Sequence, residues 1–209
     1  MKILAAALAL LLLGPATAKG DAMRISSPAF QDQHPIPSAY TCDDANISPP
    51  LSFSDVPQNA ASLALLMDDP DAPAGDWVHW IVFNLPPDAA GLPEDAPAGP
   101  RLPDGATQGA NSWRRLGYGG PCPPSGLHRY FFRLYALDAK LDLEPGASKK
   151  QLQKAMQGRV LEEASCMGTY HQMDGPGRTG TQEAAPHAPP AGGKTPPSVF
   201  SVSLSHICM

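Results

Sequence analysis

Two histidines, His79 and His128, each open an apolar run beside aromatic residues. Trp77 and Trp80 flank the first, and Tyr130 and Phe131 follow the second. A stiff loop precedes each. The first is Asp69-Pro70-Asp71-Ala72-Pro73. The second runs from Tyr118 through Gly119-Gly120 and Cys122-Pro123-Pro124-Ser125-Gly126. A neutral imidazole donates one hydrogen bond, and a protonated one donates two. Tyrosine hydroxyls donate as well, and backbone N–H groups of a glycine-containing loop can approach a ligand closely. If the two entrances are neighbours in space, they form a small pocket suited to phosphate, sulfate or carboxylate. An aromatic rim could hold an attached apolar or choline-like group. The aspartates do not suit an anion directly. Asp69 is expected to accept from the histidine N–H facing away from the ligand, which fixes the tautomer and favours the charged ring. Asp68 and Asp76 read as solvated loop residues.

Each residue also has a plainer reading. A histidine at a strand end is commonly a satisfied structural group. The Asp69–Pro73 stretch alone could be a rigid turn held by aspartate side chains. His79, His128 and the aspartates have ligand chemistry suited to zinc, but no pair shows a dedicated short spacing, so no metal and no cofactor is expected. No G-x-S-x-G elbow is present, and no cysteine adjoins a histidine, which argues against nucleophilic catalysis. The similarity of the two entrances lifts the binding reading above these.

Strands must position these residues. Ser62 to Asp68, Trp77 to Pro86 and His128 to Asp138 are rich in β-branched, aromatic or aliphatic residues and are bounded by turn signals. A weaker first strand lies near Met23. Alternation puts Trp77, His79, Ile81 and Phe83 on one side of their strand and Val78, Trp80, Val82 and Asn84 on the other. It groups His128, Tyr130, Phe132 and Leu134. Ser148 and Gln151 form an S-x-x-Q capping box before one helix, which Gly158 ends. Val160 to Tyr170 reads as either a strand or a helix extension. Asp88 to Gly105 is mostly loop. The fold class is mainly β, an antiparallel two-sheet β-sandwich with one late helix.

The chain has 209 residues, a net charge of −5 and 25 prolines, roughly twice the ordinary proline share. Its 15 basic residues are outnumbered and form no strong run, so nucleic acid is not an expected partner. Lys2, the apolar run Ile3–Leu13 and the small-x-small site Ala16-Thr17-Ala18 have the layout of a secretory signal peptide, residues 1–18. An uncleaved anchor is the alternative. No transmembrane segment is expected in the mature chain, which should be exported, periplasmic or secreted. A domain over residues 22–171 follows, then a Pro/Gly-rich low-complexity tail, 172–209. Residues 199–209 could add a short edge strand or be unstructured. Cys42, Cys122, Cys166 and Cys208 permit three full pairings, and the sequence does not choose among them. One disulfide, Cys42–Cys122, is the expectation, against buried free thiols.

These motifs resemble the phosphatidylethanolamine-binding protein family, also called Raf kinase inhibitor-like proteins. "DPDAP" followed by "HW.V.N.P" is similar to its first signature, and "YGGPCPPSGLHRYFFRLYALD" to its second. "YTCDDANISPPLSFSDVP", "LPDGATQGANSW" and "GTY" at Gly168–Tyr170 look like its bacterial and archaeal branch. The resemblance covers about residues 23–171. It implies a large antiparallel sheet packed on a smaller one, with an anion pocket at one end. By motif, the pocket residues are Asp69, Asp71, Trp77, His79, Tyr118, Cys122, Pro123, Pro124, His128 and Tyr130. Cys122 departs from the pattern, since relatives usually carry glycine there. It could narrow the site or form a disulfide. The tail departs too.

The expected function is therefore a non-enzymatic, exported binder of small anions or phospholipid headgroups. His79 and His128 donate, Tyr118 and Tyr130 line the site, and Trp77 forms an apolar wall. Affinity should fall as pH rises through about 6–7. The alternative is an inhibitor or regulator of an exported protease or other protein partner, presented on proline-stiffened loops. An enzyme acting on a phosphoryl or acyl group ranks last.

Overall fold

The computed structural model describes residues 21–172. The expected signal peptide, residues 1–18, and almost all of the expected tail, including residues 199–209 and Cys208, lie outside the described residues. The described strands are β1 (Arg24–Ser26), β2 (His34–Pro35), β3 (Leu51–Ser54), β4 (Ser62–Asp69), β5 (Trp77–Leu85), β6 (Gly91–Leu92), β7 (Thr107–Gln108), β8 (Leu127–Leu137) and β9 (Val160–His171). One helix, α1 (Lys149–Met156), precedes β9. The strands form a six-stranded sheet, ordered β2-β9-β8-β4-β5-β7, and a three-stranded sheet, ordered β1-β3-β6. Pairing is antiparallel except between β2 and β9. The chain after Gly158, ambiguous in sequence, is a strand along the whole length of β8.

The main core lies between the sheets. Leu63, Leu65 and Met67 of β4, Trp80 and Val82 of β5, and Tyr130, Phe132 and Leu134 of β8 meet Ile25, Phe53 and Leu92 of the smaller sheet. On the other face, Ala64, Leu66, Ile81 and Phe83 pack on Leu152 and Met156 of α1. Ser148 caps that helix through the full capping box with Gln151. Buried on both faces, β4 reads as an unbroken apolar run rather than an alternating one.

Strict alternation fails on β5 at two bulges. Met67 pairs with Trp80 and Asp68 with Val78, so His79 is the extra residue. It lies on the Trp80 and Tyr130 side, not with Ile81 and Phe83 as alternation had it. The second bulge falls at Asn84, whose φ of 59° is left-handed. Its amide bonds both backbone groups of Leu141, which holds that conformation.

Cys42 and Cys122 form a disulfide with Cα atoms 5.4 Å apart. Cys166 is a free, buried thiol packed in the main core, and burial pushes its pKa up to about 11. Asp68 is not a solvated loop residue. It lies in β4 and is 3% exposed. It accepts from Lys149 Nζ at 2.7 Å and from Arg133 Nε at 3.4 Å. Lys149 also pairs with the exposed Asp76. A buried carboxylate needs such partners, and here they tie the first turn of α1 to the sheet.

Candidate functional site

The ends of β4, β5 and β8 meet at one end of the large sheet and supply the chemistry. Asp69 closes β4, and its carboxylate has two tasks. Oδ1 accepts the backbone N–H of Asp71 at 2.8 Å, closing the turn through Pro70. Oδ2 lies 2.7 Å from His128 Nδ1. A carboxylate can only accept, so Nδ1 of His128 carries a proton and Nε2 faces away from Asp69. Asp69 thus both closes the turn and holds the His128 ring.

His79 is anchored differently. Its Nδ1 lies 2.6 Å from the Gly119 carbonyl, again an acceptor, so Nδ1–H donates there. The ring is 2% exposed. It meets the edges of Trp113 and Tyr130 at centroid distances of 5.2 and 5.1 Å. Burial pulls its pKa down to about 4, although the Gly119 carbonyl and the Asp69 charge pull the other way. The free protein thus holds a neutral His79 near pH 7, with Nε2 as an acceptor. In the ligand-free protein His79 thus departs from an ordinary histidine titrating between pH 6 and 7.

Two buried polar atoms beside these rings have no protein partner among the described residues: the Tyr130 hydroxyl and Trp77 Nε1. Burying such a donor unsatisfied costs about 1–3 kcal/mol. Burial and the charge of Asp69 hold the Tyr130 pKa far above its ordinary value, so the hydroxyl keeps its proton. Trp77 sits beside Asp69 across the β4–β5 pair and packs edge-on against Trp113 at 5.3 Å.

The remaining expected residues take other positions. Asp71 stands at the rim, where it accepts from Arg129 Nε, Nη2 and backbone N–H at 2.7–3.0 Å. The Arg129 guanidinium holds the Asp71 pKa below its ordinary value. Tyr118 does not offer its hydroxyl to the site. It donates to the Tyr40 carbonyl at 2.7 Å while the ring packs on Trp80. Cys122 is spent in the disulfide. Pro123 is buried and Pro124 exposed on the loop from the disulfide to β8.

The glycine amides are also committed. Gly119 N–H donates to the His79 carbonyl at 3.0 Å, and Gly120 N–H to Asn46 Oδ1 at 2.8 Å. These glycines serve close packing instead. A Cβ at Gly119 would lie 2.7 Å from the Trp113 ring, and one at Gly120 2.4 Å from the Tyr40 carbonyl oxygen.

Trp113 is the residue that pattern reading missed as a wall of the site. The segment after β7 runs along β5: Gly109 N–H donates to Ile81, and Ser112 N–H donates to Val78. Ser112 Oγ accepts Val78 N–H in return. The Asn111 carboxamide gathers Trp113 N–H, Arg115 N–H and the Gly117 carbonyl. That turn lays the indole over His79. The isolated tryptophan in a Gly/Asn/Ser stretch was the available signal.

In this two-sheet β protein the strand ends converge on a cluster of aromatic and histidine side chains. The chain belongs to the phosphatidylethanolamine-binding protein family, whose profile matches residues 26–171. It is 60% identical over 150 residues to a UPF0098 protein of Methanothermobacter thermautotrophicus, covering 72% of this chain and 99% of that one. It is 48% identical over 155 residues to a UPF0098 protein of Chlamydia muridarum, covering 72% and 99%. A crystal structure of a phosphatidylethanolamine-binding protein homologue from Chlamydia trachomatis superposes with a TM-score of 0.68 at 46% identity, over 73% of this chain and 99% of that one. The crystal structure of E. coli YbcL, described as a new member of the mammalian family, gives 0.67 at 31% identity, over 72% and 99%.

Proposed function

We propose that this protein is an exported, non-enzymatic binder of small anions or phospholipid headgroups. One observation carries the reading. Two histidines pinned through Nδ1 keep their Nε2 atoms free of protein partners among the described residues, beside two buried donors that also lack them. A polar ligand that reached the Tyr130 hydroxyl and Trp77 Nε1 would satisfy both. The Cys42–Cys122 disulfide and the signal-like leader support export into an oxidising compartment.

Calorimetry with phosphate and phosphorylethanolamine tests this on the purified protein. Saturable binding is expected, weakened roughly tenfold or more in Tyr130→Phe, which removes one donor and little else. Absence of binding to any small oxyanion, or equal affinity in Tyr130→Phe and His128→Ala, would count against it.

A further inference from the structure

His79 and Tyr130 are buried, but the rim around them is not. Among the described residues four large hydrophobic side chains are exposed. Val160 and Leu161 sit where β9 begins, at the Leu137 end of β8. The other two, Trp113 and Leu127, are 38% and 63% exposed and stand at the opposite end of the sheet, beside the two histidines. Trp113 packs on His79 and Trp77 at centroid distances of 5.2 and 5.3 Å, and Leu127 directly precedes His128. Arg114 and Arg115 follow the indole, both exposed and neither in an ion pair among the described residues. Resting on the anion-binding reading above, we propose that this rim docks on the surface of an anionic phospholipid bilayer, where the site meets its headgroup. The Trp113 indole and Leu127 enter the interfacial layer, and the two guanidiniums donate to lipid phosphates.

The turn that carries Trp113, Arg114 and Arg115 is tightly bonded. Ala110 and Leu116 pair as an antiparallel bridge, and Asn111 N–H donates to the Arg115 carbonyl at 3.0 Å. Arg114 N–H donates to the Asn111 carbonyl at 2.8 Å, while the Asn111 side chain accepts from Trp113 and Arg115 N–H. Arg114 itself takes a φ of 60°, a left-handed conformation that glycine adopts at less cost. A bulky cationic residue kept at such a position points to a use for its side chain. The neighbouring cations are engaged: Arg129 by Asp71, and Lys149 by Asp68 and Asp76. Exposed Asp43 and Asp44 lie beyond the disulfide, and the chain as a whole carries −5. Attraction to an anionic surface is therefore confined to the Trp113–Arg115 tip. A bilayer offers both kinds of partner in one surface, phosphates for the guanidiniums and an interfacial layer for the indole.

Vesicle flotation of the full chain tests this with two compositions, phosphatidylcholine alone and phosphatidylcholine with about one quarter phosphatidylglycerol. Capture is expected on the anionic vesicles and little on the others, and it should fall as salt rises. Arg114→Gly/Arg115→Gln, in which glycine also relieves the backbone, should weaken capture roughly tenfold or more. Leu127→Ser should weaken it as well. All variants carry the same leader and tail, so the difference reads the rim alone. Phospholipids brominated in their acyl chains should quench the exposed Trp113 in the unaltered chain and not in the double variant. Calorimetry with soluble phosphorylethanolamine should give the same affinity in all of them, since none of the three altered residues lies in the pocket. No capture, equal capture of the double variant, or capture without indole quenching overturns the docking. Binding of the tip to polyglutamate with none to vesicles overturns it too, and assigns the tip to an acidic protein. In each of those cases phosphorylethanolamine binding keeps the anion-binding reading standing. Its absence sinks that reading whether or not the rim docks.

Discussion

The Tyr130 hydroxyl is buried without a partner among the described residues, so the ligand-free protein bears a desolvation cost at the residue that would reward a ligand. Tyr130→Phe should therefore leave thermal stability unchanged or raise it, by up to about 1 kcal/mol, while weakening phosphate binding. Denaturant melts and calorimetry on the same variant check both halves. His79 gives a second prediction. Its pKa is about 4 in the folded protein against about 6.5 when unfolded. Between those values the unfolded chain binds the extra proton, so stability rises with pH from 4 to 6.5 and is fully present above that window. The contribution is on the order of 3 kcal/mol. Denaturation midpoints across this range should show the slope, and the His79 ring resonances should stay at neutral positions from pH 8 to 5. The sequence could nominate His79 and Asp69 because their residue types and the stiff turn are local. It could not show that one histidine faces a carboxylate and the other a carbonyl, since Gly119 lies forty residues from His79 and meets it only in the fold.

At the scale of the element, the bulge at His79 explains why a period-two reading placed that ring on the wrong face. One inserted residue reverses every side chain beyond it, and no local signal marks the insertion. β4, β5 and β8 were readable from aliphatic, β-branched and aromatic runs, β1 more weakly, and α1 from its capping box; β2, β3, β6 and β7 gave no such signal. β9 was not readable either, because Glu162-Glu163-Ala164 favours a helix locally. Its strand state comes from pairing with β8 from Leu127 to Leu137. The Gly119-Gly120 pair was singled out for its backbone freedom, but for a different use. Gly120→Ala should destabilise by about 1–3 kcal/mol or more, since its Cβ meets backbone rather than a flexible side-chain end. A urea melt measures this. The same variant should lose ligand affinity, because the adjoining Gly119 carbonyl orients His79.

Across the whole molecule, the disulfide joins the loop after Tyr40 to the loop before β8, with 80 residues of sequence separation. Tying so long a loop limits the unfolded chain by about 4–5 kcal/mol in the chain-entropy account. A Cys42→Ser/Cys122→Ser variant should therefore unfold at clearly lower denaturant, with the site still assembled, since Gly120 N–H to Asn46 and Tyr118 to Tyr40 hold the same two loops together. Cys166 has a role in how that bridge endures. Thiol–disulfide exchange runs through the thiolate, and with a pKa near 11 only about one Cys166 in ten thousand is ionised at pH 7. The folded core thereby withholds a nucleophile that could otherwise attack the bridge. Alkylation mapped by mass spectrometry should modify residue 166 at least about a hundredfold more slowly in the native protein than in urea. The pairing is then guarded kinetically against Cys166 by the packing it helped to complete.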